Sequence, residues 1–167
     1  MLEQAPGRLP PISRVTLAPL PELPYQQVDT IVTGQVTTIQ PFLSSDHKGI
    51  YTEFTVRISD AIKTPAPLGT GSFVTLLREG GIARLPDGKV VKHNVTGDIL
   101  PSYGKEYLFF MDFDPTLQAF SYSKLWLIDS GIMKPVFPDD LALQGESQYT
   151  GKPLSYVTTF IRSKLSK

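Results

Sequence analysis

Between Tyr51 and Ser59 the chain alternates strictly: Phe54, Val56 and Ile58 fall on one side, and Tyr51, Glu53, Thr55, Arg57 and Ser59 on the other. A period of two belongs to a strand with one hidden face, because a helix would scatter the same residues around its circumference. The neighbouring stretches speak the same language. VDTIVTGQVTTIQ sets Val32, Gly34, Val36 and Thr38 against Ile31, Thr33, Gln35, Thr37 and Ile39, and Pro41 stops the run. Glycine inside a strand marks a bulge or a sharp bend. Gly34 therefore predicts a long first strand that coils and pairs with both halves of a small closed barrel. SSDHKG is the turn into the second strand. Pro65, Pro67, Gly69 and Gly71 lead to a third at Phe73–Leu77, which Gly80 and Gly81 end.

An excursion follows from Ile82 to Tyr103, with Pro86-Asp87-Gly88 as a hairpin turn: proline fixes the first corner and glycine takes the second. The fourth strand, Lys105–Asp112, is apolar on both faces from Tyr107 to Met111, so something must cover its outer side. AFSYS and LWLID read as further short strands, and GIMKPVF as one more. Residues 1–27 hold Pro6, Pro10, Pro11, Pro19, Pro21 and Pro24 and read as an extended arm, docked through Val15, Leu17, Leu20 and Leu23. The barrel occupies 28–137, and 138–167 form a helical cap of the same domain. There Pro138-Asp139-Asp140-Leu141 opens a single helical turn and Gly145–Gly151 is a polar loop. In PLSYVTTFIRSKLSK, Leu154, Val157, Ile161 and Leu165 recur at helical spacing, with Tyr156 and Phe160 four apart.

Composition narrows the function classes. The 167 residues suit one domain with a real core. Sixteen basic and sixteen acidic side chains balance to zero net charge and are scattered along the chain. Nucleic-acid binders gather an excess of Lys and Arg on one face, which speaks against that partner. The absence of cysteine excludes a disulfide framework, a thiolate zinc site, an iron–sulfur cluster and a cysteine nucleophile. The longest apolar run, Leu108–Met111 with Tyr107 before it, is too short to span a bilayer. MLEQAPGRLPP is no charged-then-apolar leader and reads as a start residue placed on a mature domain.

Few residues offer chemistry. Asp129-Ser130-Gly131 after an apolar strand matches the aspartic-peptidase signature, in which two such aspartates share a proton. Asp129 is the candidate catalytic residue, though only a short tail ending in a helix follows it. Ser121-Tyr122-Ser123-Lys124 and Ser45-Asp46-His47-Lys48 fit Ser-x-x-Lys without its companion motifs. His47 and His93 fall in separate polar loops, and two histidines alone do not complete a zinc site. Asp112 and Asp114 form Asp-x-Asp, the metal candidate, with a strand-end turn as the plainer account. Asn94-Val95-Thr96 fits an N-glycosylation acceptor. Aromatics on the strands, Tyr51, Phe73, Tyr107, Phe109, Phe120, Tyr122 and Trp126, are expected mostly in the core. Any that face solvent beside Arg57, Arg78 or Lys124 could stack a ligand. Tyr51, Arg57, Tyr122 and Trp126 are the binding candidates.

Val32-x-Gly34-x-Val36, IYTEFTVRI, GSFVTLL and GKEYLFFMD together resemble the barrel of netrin-like and tissue-inhibitor-of-metalloproteinase domains. The likeness runs from residue 28 to 128 and takes in the terminal helix GKPLSYVTTFIRS. The same pattern resembles exported bacterial proteins closed by a short helix. The resemblance implies a mostly β fold: a small five-stranded OB-like barrel with an extra hairpin and a C-terminal α-helix packed on it. Metalloproteinase inhibition uses an N-terminal cysteine and disulfides, which this chain lacks, so that activity is not implied. The expectation is a non-catalytic, exported bacterial binding domain without a cofactor, for a protein or small ligand, its leader removed. The alternatives are an aspartic-type peptidase, a single-stranded nucleic-acid binder, and a cytoplasmic location.

Overall fold

The computed structural model describes residues 20–46, 48–95, 98–137 and 147–167. Among them run strands β1 Thr30–Leu43, β2 Ile50–Lys63, β3 Phe73–Glu79, β4 Gly81–Arg84, β5 Val90–His93, β6 Glu106–Asp114, β7 Ala119–Asp129 and β8 Ile132–Pro135, then helix α1 Leu154–Leu165. The described residues are mostly β with one C-terminal helix, as the alternation predicts. β1 lies between β2 and β6, β3 flanks β2, and β7 flanks β6, all antiparallel. A parallel bridge from Leu76 to Phe120 joins β3 to β7 and closes five strands into a ring. β8 extends the far end of β7, and β4–β5 is a separate ribbon turning at Pro86–Gly88, where Leu85 and Lys89 close the hairpin.

Gly34 is where β1 bends. Strand β1 pairs with β6 through Thr30–Gln35 and with β2 from Ile31 onward, and its register with β2 slips on either side of Gly34. A Cβ at Gly34 would stand 2.5 Å from Val56 Cγ1 and 2.8 Å from the Arg57 carbonyl oxygen. Only a residue without a side chain lets the strands approach this closely.

The two-faced apolar run in β6 feeds two cores. Tyr107, Phe109 and Met111 point into the ring with Val32, Phe54, Val56 and Ile58. Leu108 and Phe110 point outward, where Trp126, Met133, Leu23, Val157 and Ile161 cover them. Phe54, Val56 and Ile58 are at most 1% exposed, on the side the alternation assigned to them. Tyr51 departs from that pattern: it is buried in a small satellite cluster with Leu77 and Ala119, against Phe42 and Leu117. Val157 and Ile161 of α1 are fully buried. Each contributes about 1.5–3 kcal/mol of apolar burial to docking before entropy is counted. Arg162, in the last turn, also pairs with Asp60 at 2.7 Å.

The described end of the arm is held by its main chain. Proline lacks an N–H, so a proline-rich segment offers chiefly carbonyls, which need donors from elsewhere. Lys124 Nζ donates to Pro21 O at 3.2 Å, Trp126 Nε1 to Glu22 O at 2.9 Å, and Lys63 Nζ to Tyr25 O at 3.0 Å and to Val28 O. The rest of the arm, with Val15 and Leu17, and the turn expected at Pro138–Leu141 lie outside the described residues.

Strand β7 corrects the expectation of two short strands. AFSYS and LWLID are one strand with a bulge: Met111 pairs with Tyr122 and Phe110 with Lys124, leaving Ser123 unmatched. The extra residue flips the alternation. Tyr122 and Leu125 therefore both face the interior, while Lys124 and Trp126 face the arm.

Candidate functional site

The ring is covered unevenly. Helix α1 and the arm lie over β6, β7, β8 and the start of β1. Among the described residues no such layer covers the outer side of β1–β2–β3 from Arg57 to Glu53, and the register there sets side chains in rows. Gln35, Arg57 and Phe73 align in one row, then Thr38, Thr55 and Thr75, then Gln40, Glu53 and Leu77. Phe73 is 61% exposed, an aromatic ring set among polar side chains on this face. Arg57 is exposed beside it, and its Nη2 donates to Gln35 Oε1 at 3.4 Å. The face ends on the Tyr51–Leu77–Leu117 cluster. It thus offers one ring, one guanidinium, two amides, threonine hydroxyls and the Glu53 carboxylate.

Turns at that end are fixed by side chains. Ser44 Oγ donates to Asp46 Oδ1 and accepts the Gly49 N–H at 3.1 Å. The Ser44 hydroxyl, followed by the Lys48 N–H, holds the Asp46 carboxyl below the ordinary aspartate range. Asp114 Oδ1 accepts the N–H groups of Thr116 and Leu117 at 2.8 and 3.2 Å, shaping the β6–β7 turn. Asp112 is elsewhere engaged: its Oδ1 accepts the Asp29 N–H at 2.8 Å. Asp112 also lines a shallow cleft of about 540 Å³ with Asp29, Gln26 and Lys63. Among the described residues no group of three or more His, Asp or Glu side chains could hold a metal ion.

The other sequence candidates disperse. Asp129 is half exposed at the β7–β8 turn and ion-paired with Lys134, whose ammonium is the main cause of its lowered pKa. Asp129 pairs with Ile132 across a two-residue turn in which Ser130 and Gly131 have φ of 53° and 76°. Positive φ at both positions is the demand of a tight hairpin turn, which Ser-Gly meets. Trp126 is fully buried under the arm and presents no face to a ligand. His93 Nε2 lies 3.1 Å from Glu79 Oε1, and His47 falls outside the described residues, as does Thr96 of the glycosylation triplet. Phe73, by contrast, was expected in the core. The signal lay in FVTLL, where placing Val74 and Leu76 inside forces Phe73 out.

Tyr122, also a binding candidate, is wholly buried at the seam between β3 and β7. Its hydroxyl donates to Ile99 O at 2.6 Å, and the Arg78 guanidinium lies 4.6 Å from its ring centre. Arg78 bonds both oxygens of Asp98 at 2.6 and 2.8 Å and also the Tyr122 carbonyl, so it spans the seam. Burial pushes the Tyr122 hydroxyl's pKa well above the ordinary tyrosine value. A raised pKa means that the unfolded chain ionises first, so stability is full below pH ~10 and is lost as pH climbs beyond it. The expected slope is about 1.4 kcal/mol per pH unit. Thermal melts across the alkaline range check this, and Tyr122→Phe should flatten the dependence; an equally steep fall in that variant refutes the assignment.

No helix among the described residues is long and apolar enough to cross a membrane. No protein-family model and no curated protein sequence matches the chain.

Proposed function

We propose that the protein is a non-catalytic OB-type interaction domain that binds a protein segment or other ligand across the outer face of β1–β2–β3. The ring connectivity supports the fold-type reading: a first strand between the second and fourth, closed by parallel third and fifth strands, with an extra hairpin inserted between strands three and four. In OB domains the face of strands two and three, with the loops at its end, carries ligands. The observation that carries the binding reading is Phe73, 61% exposed beside Arg57 on a face that no other described segment covers. The resemblance to exported bacterial proteins supports an extracytoplasmic location.

A peptide library displayed on phage and panned on the protein tests the reading. Enriched peptides are expected to bind the wild type and to lose at least about tenfold in affinity, or ~1.4 kcal/mol, with Phe73→Ala or Arg57→Ala. Peptides that bind both variants as tightly as wild type would sink it. Both substitutions are on the surface and should shift stability by no more than about 0.5 kcal/mol. The nucleic-acid alternative asks for phosphate-binding cations. Arg57 is the one cation in these rows and shares them with the Glu53 carboxylate, so a fluorescent single-stranded oligonucleotide at low salt is expected to show no saturable binding. For the peptidase alternative, Asp129→Asn is expected to change no activity on a peptide substrate.

A further inference from the structure

The β4–β5 ribbon turns one face to the ring and the other to solvent, and its register says which residues lie on each. Gly81 pairs with His93, Ile82 with Lys92, Ala83 with Val91 and Arg84 with Val90. Partners across a ladder share a face, and successive pairs alternate. Gly81, Ala83, Val91 and His93 therefore make one face, and Ile82, Arg84, Val90 and Lys92 the other. The first is anchored. Gly81 and Ala83 are buried, a Cβ at Gly81 would stand 2.2 Å from Thr52 Oγ1, and His93 meets Glu79 of β3.

All four residues of the second face are exposed, Ile82 at 58% and Val90 at 59%. The Leu85 N–H donates to Lys89 O at 2.8 Å to close the hairpin. Counting back from that bond, Arg84–Val90 and Ile82–Lys92 are the pairs without ladder bonds. Side chains stand closest in such pairs, with Cβ atoms about 4.5–5.5 Å apart. The result is a small chequerboard, two branched aliphatics on one diagonal and two cations on the other. Among the described residues neither Arg84 nor Lys92 has an ion-pair partner. At the turn, Lys89 pairs with Asp87 at 3.3 Å, so that carboxylate is already engaged. A chain of zero net charge thus carries a face that is apolar and positive, with no carboxylate in it.

That chemistry selects its occupant. A second copy meeting this face would bring four cations together. Protein partners are held through large anchors seated in pockets, and two branched aliphatics standing out from a ribbon have nothing around them to form one. An anionic bilayer needs no pocket: its phosphates meet cations wherever they stand, and aliphatic side chains enter the acyl boundary beside them. We propose that the β4–β5 ribbon docks the protein on an anionic lipid surface, Ile82 and Val90 entering the acyl boundary and Arg84 and Lys92 meeting phosphates. This site is independent of the β1–β2–β3 reading.

Co-sedimentation of the full chain with vesicles of mixed phosphatidylglycerol and phosphatidylcholine tests it, with phosphatidylcholine alone as the comparison. Binding to the mixed vesicles is expected to be at least about tenfold tighter than to the neutral ones, as two cations near the surface supply. It should weaken as salt is raised. Arg84→Glu/Lys92→Glu should lose at least about tenfold on the mixed vesicles. Ile82→Thr/Val90→Thr keeps the β-branched shape and should lose about as much through the apolar contact. All four positions are exposed, so both variants should fold as wild type. Lys152→Glu/Lys164→Glu reverses two exposed charges at α1 and should bind as wild type. No binding to the mixed vesicles, equal binding to the neutral ones, or an equal loss in the α1 variant overturns the proposal. So does a soluble oligoglutamate peptide that binds while the vesicles do not, which would give the face to an acidic protein segment.

Discussion

Replacing Arg78 with methionine is expected to cost about 3–5 kcal/mol, the penalty for stranding one partner of a buried ion pair. The Arg78 and Asp98 side chains are 23% and 8% exposed, so Asp98 would be left almost without solvent to replace the guanidinium. The Tyr122 carbonyl would lose its donor and the Tyr122 ring its cation at the same stroke. Urea unfolding measures the loss. The double variant Arg78→Met/Asp98→Leu should recover much of it, because two apolar groups of similar bulk often do as well as a buried pair. If the single variant melts like wild type, Arg78 does not hold the seam. If the double variant is worse than the sum of its parts, the network does more than satisfy itself.

Gly34→Ala is expected to cost about 3 kcal/mol, the upper end for overpacking, because one of the two atoms in its way is backbone. In a chain of this length that lowers the melting temperature by about 6–12 °C. The Val56 side chain can turn aside, but the Arg57 carbonyl belongs to the β1–β2 ladder and cannot move without loosening it. Gly34→Val should fail to fold. An alanine variant with wild-type melting would mean that β1 tolerates a wider spacing than the ring requires.

What the sequence made legible were the features written in short-range order. The in-and-out assignment of Phe54, Val56 and Ile58 follows from period two, and the α1 face of Val157 and Ile161 from helical spacing. The apolar run Tyr107–Met111 announced that both faces of β6 would be covered. Ring closure was less accessible, since Leu76 and Phe120 are distant in the chain and nothing local encodes their bridge. Of the binding candidates, Arg57 stays on the surface, while Tyr122 and Trp126 are hidden by parity. Ser123 adds one residue to β7, and that slip turns Tyr122 inward and sends Trp126 under the arm. Tyr51 looked outward by alternation, yet Phe42, Leu77 and Leu117 close over it from neighbouring strands and a turn. The aspartate signature at Asp129 shows how a motif is shared between chemistries: Ser-Gly after a strand suits a tight turn with or without catalysis.

The grip on the arm has a consequence for what can change there. Lys63, Lys124 and Trp126 reach carbonyl oxygens that every amino acid possesses, so the segment is recognised as peptide rather than as particular letters. Leu23, Pro24 and Val28 are buried and constrained by fit. Exposed positions such as Gln26 and Gln27, in a turn closed by the Gln27 N–H on the Pro24 carbonyl, are free to drift, and other turn-forming residues could stand in their place without loosening the clasp.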